Sequence, residues 1–262
     1  MENNMDNQIP SLPDSSLLEK PGTISRLQMV FSSPATLFSK LTGKMDWIAP
    51  LIVIAILGGL FGPGGYLVGP IVAKDSYPRV LANMEKWKDQ MPADRWEEVK
   101  GQIDKGFREA QENRFKWYYP FIYFGWPLVI SVIIALIGLI AGNFLFGGKA
   151  SFWIIINVVV FSGLIGIAGD AVRGLLMLAK DSMYIYTGLG LLKPVDDGNF
   201  LHYLLRQIDL FTVWRIAVTC IGLGAVYQMK PKRFAYVLFP LWVVFILLVA
   251  FVNIVVGGSI TY

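Results

Sequence analysis

Long runs without a charged residue dominate the chain, and they predict helices that cross a membrane. Trp47 to Ala73 holds 27 residues without Asp, Glu, Lys or Arg, and Trp117 to Gly148 holds 32. Uncharged stretches also cover 150–169 and 234–262, while 210–229 carries only Arg215. A helix needs about 20 apolar residues to cross the hydrocarbon core of a bilayer. Because lipid leaves backbone amides no partner, and continuous apolarity does not fit alternating barrel strands, we predict five membrane-spanning helices.

The predicted fold is therefore an all-α, polytopic membrane protein. Its parts are a disordered cytoplasmic tail over 1–21, an interfacial amphipathic helix over 22–46, spans over 47–73, 117–148, 150–179, 208–229 and 234–258, an amphipathic helical segment over 74–116 and a loop over 180–207. The glycine-rich stretch from Gly62 to Gly65 predicts a break or kink near the end of the first span.

Basic residues indicate the orientation, because Lys and Arg in short segments favour the cytoplasmic side. They cluster before the first span and between the last two: Lys20, Arg26, Lys40, Lys44, Lys230, Lys232 and Arg233. With five spans, this predicts a cytoplasmic amino terminus. The polar first 20 residues lack the layout of a signal peptide. We expect a multi-pass protein of a cell membrane, with the bacterial cytoplasmic membrane favoured.

The segment before the first span has a helical apolar pattern that restarts once. Ile24, Leu27 and Val30 fall near helical spacing, and Ser33 with Pro34 predicts a second helix start. Two interpretations fit this amphipathic pattern equally: a helix lying on the inner membrane surface, or one packed on the protein's own bundle.

We expect the segment over 74–116, between the first two spans, to be the only sizeable water-facing element. Trp96, Val99, Ile103 and Phe107 recur at steps of three and four, which makes one apolar stripe of a helix. We interpret this stripe as a candidate partner-facing surface. It could instead lie on the outer leaflet or fold back on the preceding helix.

Composition removes several classes of function. Of all residues 55% are hydrophobic and 16% charged, whereas soluble domains have about a quarter charged. One cysteine and one histidine offer no disulfide and no metal cluster, so we expect no cofactor, no metal and no enzymatic activity. The balanced charge of the 74–116 segment argues against nucleic acid. The expected partners are the lipid bilayer and other membrane proteins.

Three ionisable residues in or near the spans are candidates for an intramembrane polar pair. Asp170 and Arg173 come late in the third span, and Arg215 comes early in the fourth. With opposite span directions, Asp170 and Arg215 lie at similar depth and could pair, although each could also reach the headgroup region alone. Glycines in the second, third and fourth spans predict that these three form the tight core, with the fifth more exposed to lipid.

A set of short motifs resembles the Yip (Ypt-interacting protein) domain family, bacterial type. The motifs are Phe31-Ser32-Ser33-Pro34 with Phe38 before the first span, Gly148-Lys149-Ala150-Ser151-Phe152 at the third, and Asp209-Leu210-Phe211-Thr212-Val213-Trp214-Arg215 at the fourth. The resemblance implies five spans, a cytoplasmic amino terminus and a non-enzymatic role: eukaryotic relatives act in vesicle transport with small GTPases, and some bacterial relatives are linked to ABC-type efflux systems. Ser162-Gly163 replaces the proline-centred motif often seen in the third span, and the 74–116 insertion is long, so no GTPase-related role carries over.

The resulting functional hypothesis is a membrane scaffold or accessory subunit of a membrane complex, with an ABC-type exporter as one candidate complex. The alternative is a small transporter or channel component that uses Asp170 and Arg215. An intramembrane enzyme has the least support in the sequence.

Overall fold

A computed structural model describes residues 22–41, 43–62, 64–112, 119–194 and 198–255. The helices are α1 (Thr23–Ser32), α2 (Pro34–Lys40), α3 (Ile48–Phe61), α4 (Gly69–Glu85), α5 (Ala93–Gln111), α6 (Tyr119–Leu139, continued by a π-helical turn over Ile140–Leu145), α7 (Phe152–Lys180), α8 (Phe200–Leu205), α9 (Leu210–Tyr227) and α10 (Pro231–Val255). Short 3₁₀ turns occupy Lys88–Gln90 and Leu189–Leu192. The predicted tail over 1–21 lies outside the described residues.

Among the described residues, four helices are long and apolar enough to cross a membrane, which confirms the all-α, polytopic fold. They are Phe121–Leu145, Phe152–Lys180, Leu210–Tyr227 and Pro231–Val255. A fifth apolar helix, α3, has 14 residues. At 1.5 Å per residue α3 is about 21 Å long, shorter than the hydrocarbon core of about 30 Å.

The uncharged stretch from Trp47 to Ala73 is divided by a glycine turn, which ends α3 before α4 begins. The amides of Gly62, Tyr66 and Leu67 donate to the last carbonyls of α3, those of Gly58, Gly59 and Leu60, at 2.7–3.0 Å. A Cβ at Gly65 would lie 2.7 Å from the Leu60 carbonyl oxygen, so only glycine fits there. The turn thus gives internal partners to carbonyls that a helix end otherwise leaves exposed.

Close contacts at glycines fix the relative directions of the apolar helices. Gly163 faces Ile54 and Gly174 faces Phe61, so α3 and α7 run the same way. Gly169 faces Phe211 and Gly222 faces Val158, which makes α9 antiparallel to α7. The two ends of the bundle therefore differ. We call the end that carries α1 and α2 the amino-terminal end, and the opposite one, where α3 and α7 finish, the far end.

Helix α7 is the centre of the core. Of its most apolar stretch 67% is buried, against 39% for α9, 28% for α6 and 17% for α10. The exposure of α10 matches the expectation for the fifth span. The predicted core of the second to fourth spans differs from the structure in one respect, because α3 contacts α7 as extensively as α9 does, while α6 keeps a long outward apolar face.

Helices α1 and α2 pack on the amino-terminal end of the bundle. Their apolar side chains Val30, Leu37 and Phe38 are buried, and the Phe38 ring contacts α9 at Gly222. Asn157 of α7 donates to the Gly43 carbonyl oxygen at 2.6 Å. Of the two arrangements considered for this segment, the structure has the one in which it covers the protein's own bundle.

Candidate functional site

The pair α4 and α5 is attached to the far end of the bundle by charged and polar contacts. Lys74 Nζ donates to Asp181 Oδ2 at 2.6 Å and to the Asp181 carbonyl oxygen at 3.0 Å. The carboxylate of Asp75 accepts from the Met183 amide at 2.8 Å. The hydrogen bond to Asp181 also raises the pKa of Lys74. These contacts follow directly after α7 in the chain, so α4 is held at a fixed place relative to that helix.

The apolar stripe of α5 faces α4. Trp96 is buried, and the Lys88 ammonium lies 5.9 Å from its ring centroid. Phe107 makes an edge contact with Tyr77 of α4 at 4.9 Å between centroids. Ile103 and Phe107 also line a cavity of about 350 Å³ beside the glycine turn, and Val99 is half-buried. The structure thus has the stripe folded back on the preceding helix.

A hydrogen bond between side chains joins the two helices near the same place. The Tyr77 hydroxyl donates to Asp104 Oδ1 at 2.6 Å. This bond to a carboxylate favours the protonated phenol and raises the pKa of Tyr77. The charged side of α5, opposite the stripe, remains exposed to solvent.

The three ionisable residues predicted in the spans lie near one another at the far end. Asp170 is within electrostatic range of both Arg173 and Arg215. Within the described ranges, however, no nitrogen–oxygen distance of 4.0 Å or less joins them. Arg173 Nε instead donates to the Ile185 carbonyl oxygen at 2.9 Å, and the Arg215 side chain lies against α7 at Gly166.

Asp170 and Arg173 line a cavity of about 180 Å³ at this end, together with two arginines that sequence reasoning missed. These are Arg79 of α4 and Arg206, which follows α8. More than ninety residues separate Arg79 from Asp170 in the chain, and no spacing rule could have linked them. Only the attachment of α4 to the end of α7 brings them together.

Other polar residues of this region have structural partners. Asp209 caps α9, because its Oδ1 accepts from the amides of Phe211 and Thr212, and its other oxygen accepts from the Thr187 hydroxyl. His202 is buried, with Nδ1 2.8 Å from the Lys193 carbonyl oxygen. Among the described residues, no group of three His, Cys, Asp or Glu side chains is placed to hold a metal.

Comparison with known families decides the identity of this helical bundle. The family model of the Yip1 domain matches residues 29–252, most of the chain. The chain belongs to the Yip1 domain family. The match runs from within α1 to near the end of α10, so the α4–α5 pair lies inside this Yip1 domain. Searches of curated proteins and of solved structures gave no significant match.

Proposed function

We propose that this Yip1-family protein is a non-enzymatic scaffold or accessory subunit of a membrane complex, with the α4–α5 pair as its recognition element. The observation that carries the proposal is the attachment of this pair to α7 through Lys74, Asp75 and Asp181. A water-facing helical unit held in a fixed orientation to the membrane is suited to present a surface to a partner, because little conformational entropy is lost on binding.

The surface available for recognition is the charged side of α5, since the apolar stripe is covered by α4. Opposite the stripe lie five exposed residues: Asp94, Glu98, Gly101, Lys105 and Arg108. Among these five the acidic members precede the basic ones along the helix, and Glu98 is also 3.5 Å from the exposed Arg95 guanidinium. Among the described residues nothing lies within 4 Å of a Cβ built at Gly101, so none of them requires glycine there. Alanine at this position would favour the helix by about 1 kcal/mol. The small Gly101 lets a partner approach the middle of this surface closely. A partner whose basic groups face the acidic end and whose acidic groups face the basic end would be complementary to it.

The test is co-purification from native membranes in a mild detergent, with a charge-swapped variant. Glu98→Lys combined with Lys105→Glu reverses the surface and leaves the net charge unchanged. We expect a partner, for which an ABC-type exporter is the first candidate, to be retained by the native chain and lost with the swap, and to be released at high salt. Arg233→Glu, at the opposite end of the bundle, is the control for a charge reversal away from α5. Recovery of the same partner with the swapped variant would overturn the proposal, as would isolation of the native chain as a lone monomer.

A second candidate function is a small transporter or channel component. It is favoured by the cavity at Asp170 and by the position of Arg215 between α7 and α9. Replacing both by neutral residues, Asp170→Asn with Arg215→Gln, should then abolish solute flux in proteoliposomes. Unchanged flux would remove this candidate.

A further inference from the structure

The far-end cavity of about 180 Å³ brings together arginines from three separate parts of the chain. Arg79 comes from α4, Arg173 from α7 and Arg206 from the turn after α8. Asp170 is the one carboxylate among the described lining residues. Arg79 Nη2 also donates to the Tyr184 hydroxyl at 3.2 Å. Because each guanidinium group carries five N–H donors, a cavity lined by three of them is rich in donors for a negatively charged group.

The depth of Arg173 places this cavity at the level of lipid headgroups. Arg173 follows Trp153 by 20 residues along the continuous helix α7. That separation is about 30 Å, the thickness of the hydrocarbon core. Tryptophan favours the membrane interface, so with Trp153 at one interface Arg173 reaches the other. Phosphate groups of phospholipids lie at this level.

The orientation of Arg173 leaves its donors available. Its Nε atom donates to the Ile185 carbonyl oxygen at 2.9 Å, and the guanidinium carbon lies 5.8 Å from the centroid of the Tyr186 ring. In the part of the chain that the structure describes, no protein acceptor binds its two terminal nitrogens. A guanidinium held from one edge and supported by an aromatic face can offer both terminal nitrogens to a single phosphate.

The remaining walls are apolar. Phe61, Val68 and Met177 enclose the side of the cavity formed by α3, the glycine turn and α7. A ligand that places a charged group among the arginines and an apolar part against these side chains would match both halves of the lining.

We propose that this cavity binds a phosphate group, with Arg173 as its central donor and Arg79 and Arg206 as flanking donors. The chemistry fits two sources, the headgroup of an anionic phospholipid and a soluble phosphate ester or ion. Asp170 opposes binding, because its carboxylate repels the phosphate at close range. The proposal is independent of the recognition surface on α5.

The experiment uses the full-length chain, stripped of lipid in detergent, and measures binding through the ligand-dependent rise in its thermal unfolding midpoint. The probes are dioctanoyl phosphatidylglycerol, dioctanoyl phosphatidylcholine and inorganic phosphate. We expect stabilisation by phosphatidylglycerol, little by phosphatidylcholine, and about tenfold weaker phosphatidylglycerol binding in Arg173→Gln, the loss typical of one charge-assisted hydrogen bond.

Two further variants keep the test decisive if Arg173→Gln folds poorly after losing its contact with Ile185. Arg206→Gln should weaken binding, and Asp170→Asn should strengthen it severalfold, an opposite sign that a general loss of structure would not produce. Lys180→Gln, at the end of the same helix and outside the cavity lining, is the matched control and should leave binding unchanged.

The outcomes separate the two sources. Binding of phosphatidylglycerol that inorganic phosphate does not compete identifies a lipid headgroup as the ligand. Competition by phosphate at millimolar concentration identifies a soluble source, and both results support the site. Equal binding of phosphatidylcholine, or responses of Asp170→Asn and Arg206→Gln that match the Lys180→Gln control, would overturn it.

Discussion

Gly222 of α9 lies where three helices meet, and replacing it by alanine should destabilise the bundle. A Cβ built at Gly222 would be 2.4 Å from Val158 Cγ1 of α7 and 2.8 Å from Phe38 Cδ2 of α2. Ordinary contact begins at 3.4 Å, so the overlap with Val158 is about 1 Å. Overpacking of a dense core costs about 1–3 kcal/mol, while alanine regains up to about 1 kcal/mol of helix propensity.

The assay is equilibrium unfolding in mixed micelles, followed by far-UV circular dichroism, on matched alanine variants. Gly125→Ala in α6 is the control because nothing lies within 4 Å of its built Cβ, so it reports helix propensity alone. We expect Gly222→Ala to be less stable than this control by about 1–3 kcal/mol.

A double-mutant cycle identifies the clash. Val158→Ala removes the methyl group nearest to Gly222, and the double variant should be more stable than the sum of the two single effects by at least about 0.5 kcal/mol. Strict additivity, or a Gly222→Ala variant as stable as Gly125→Ala, would refute the close approach of α7 and α9 at this point.

Three further predictions concern the α4–α5 pair, the core of the bundle and the orientation of the chain across the membrane. The hydrogen bond to Asp104 raises the pKa of Tyr77. The stabilisation from this bond is therefore complete below pH 10 and is lost as pH rises through the folded-state pKa. Absorbance titration at 295 nm, with the Tyr77→Phe signal subtracted, should show the Tyr77 phenol ionising at lower pH in Asp104→Asn. The buried thiol of Cys220 should resist maleimide in the folded protein and react only after denaturation, whereas labelling of the folded chain would contradict its burial. In a Cys220→Ser background, an impermeant maleimide should label Glu98→Cys in intact cells and Lys232→Cys only after permeabilisation, and the reverse result would invert the topology.

The sequence predicts the helical, membrane-embedded character well, because one physical quantity, the length of uncharged runs, decides it. The break after α3 was also predictable, since glycines at 62, 64 and 65 punctuate an otherwise apolar run. The shortness of α3 was not, because apolar residues continue beyond the turn into α4. Charge alone does not show where a helix ends inside an apolar stretch.

Amphipathic patterns indicated that a face is covered without indicating by what. Phe38 and Trp96 both belong to apolar stripes, and each is covered by another part of the chain, Phe38 by α9 and Trp96 in the α4–α5 pair. The lining of the far-end cavity could not be predicted from the sequence, because Arg79, Arg173 and Arg206 are distant from one another in the chain. Their convergence depends on the tertiary contacts of Lys74 and Asp75, which no local pattern encodes.

The docking of α1 on α7 and of α2 on α9 has a consequence for synthesis of the chain. Phe38 is made 184 residues before Gly222, its contact in the finished fold. At about 5–20 residues per second, ribosomes need roughly 10–40 s to reach that glycine. During this interval the apolar side chains of α1 and α2 have no bundle to cover them, and the membrane surface is the nearest apolar environment. We therefore expect the two arrangements that the amphipathic pattern allows to be successive stages, first on the lipid and then on the protein.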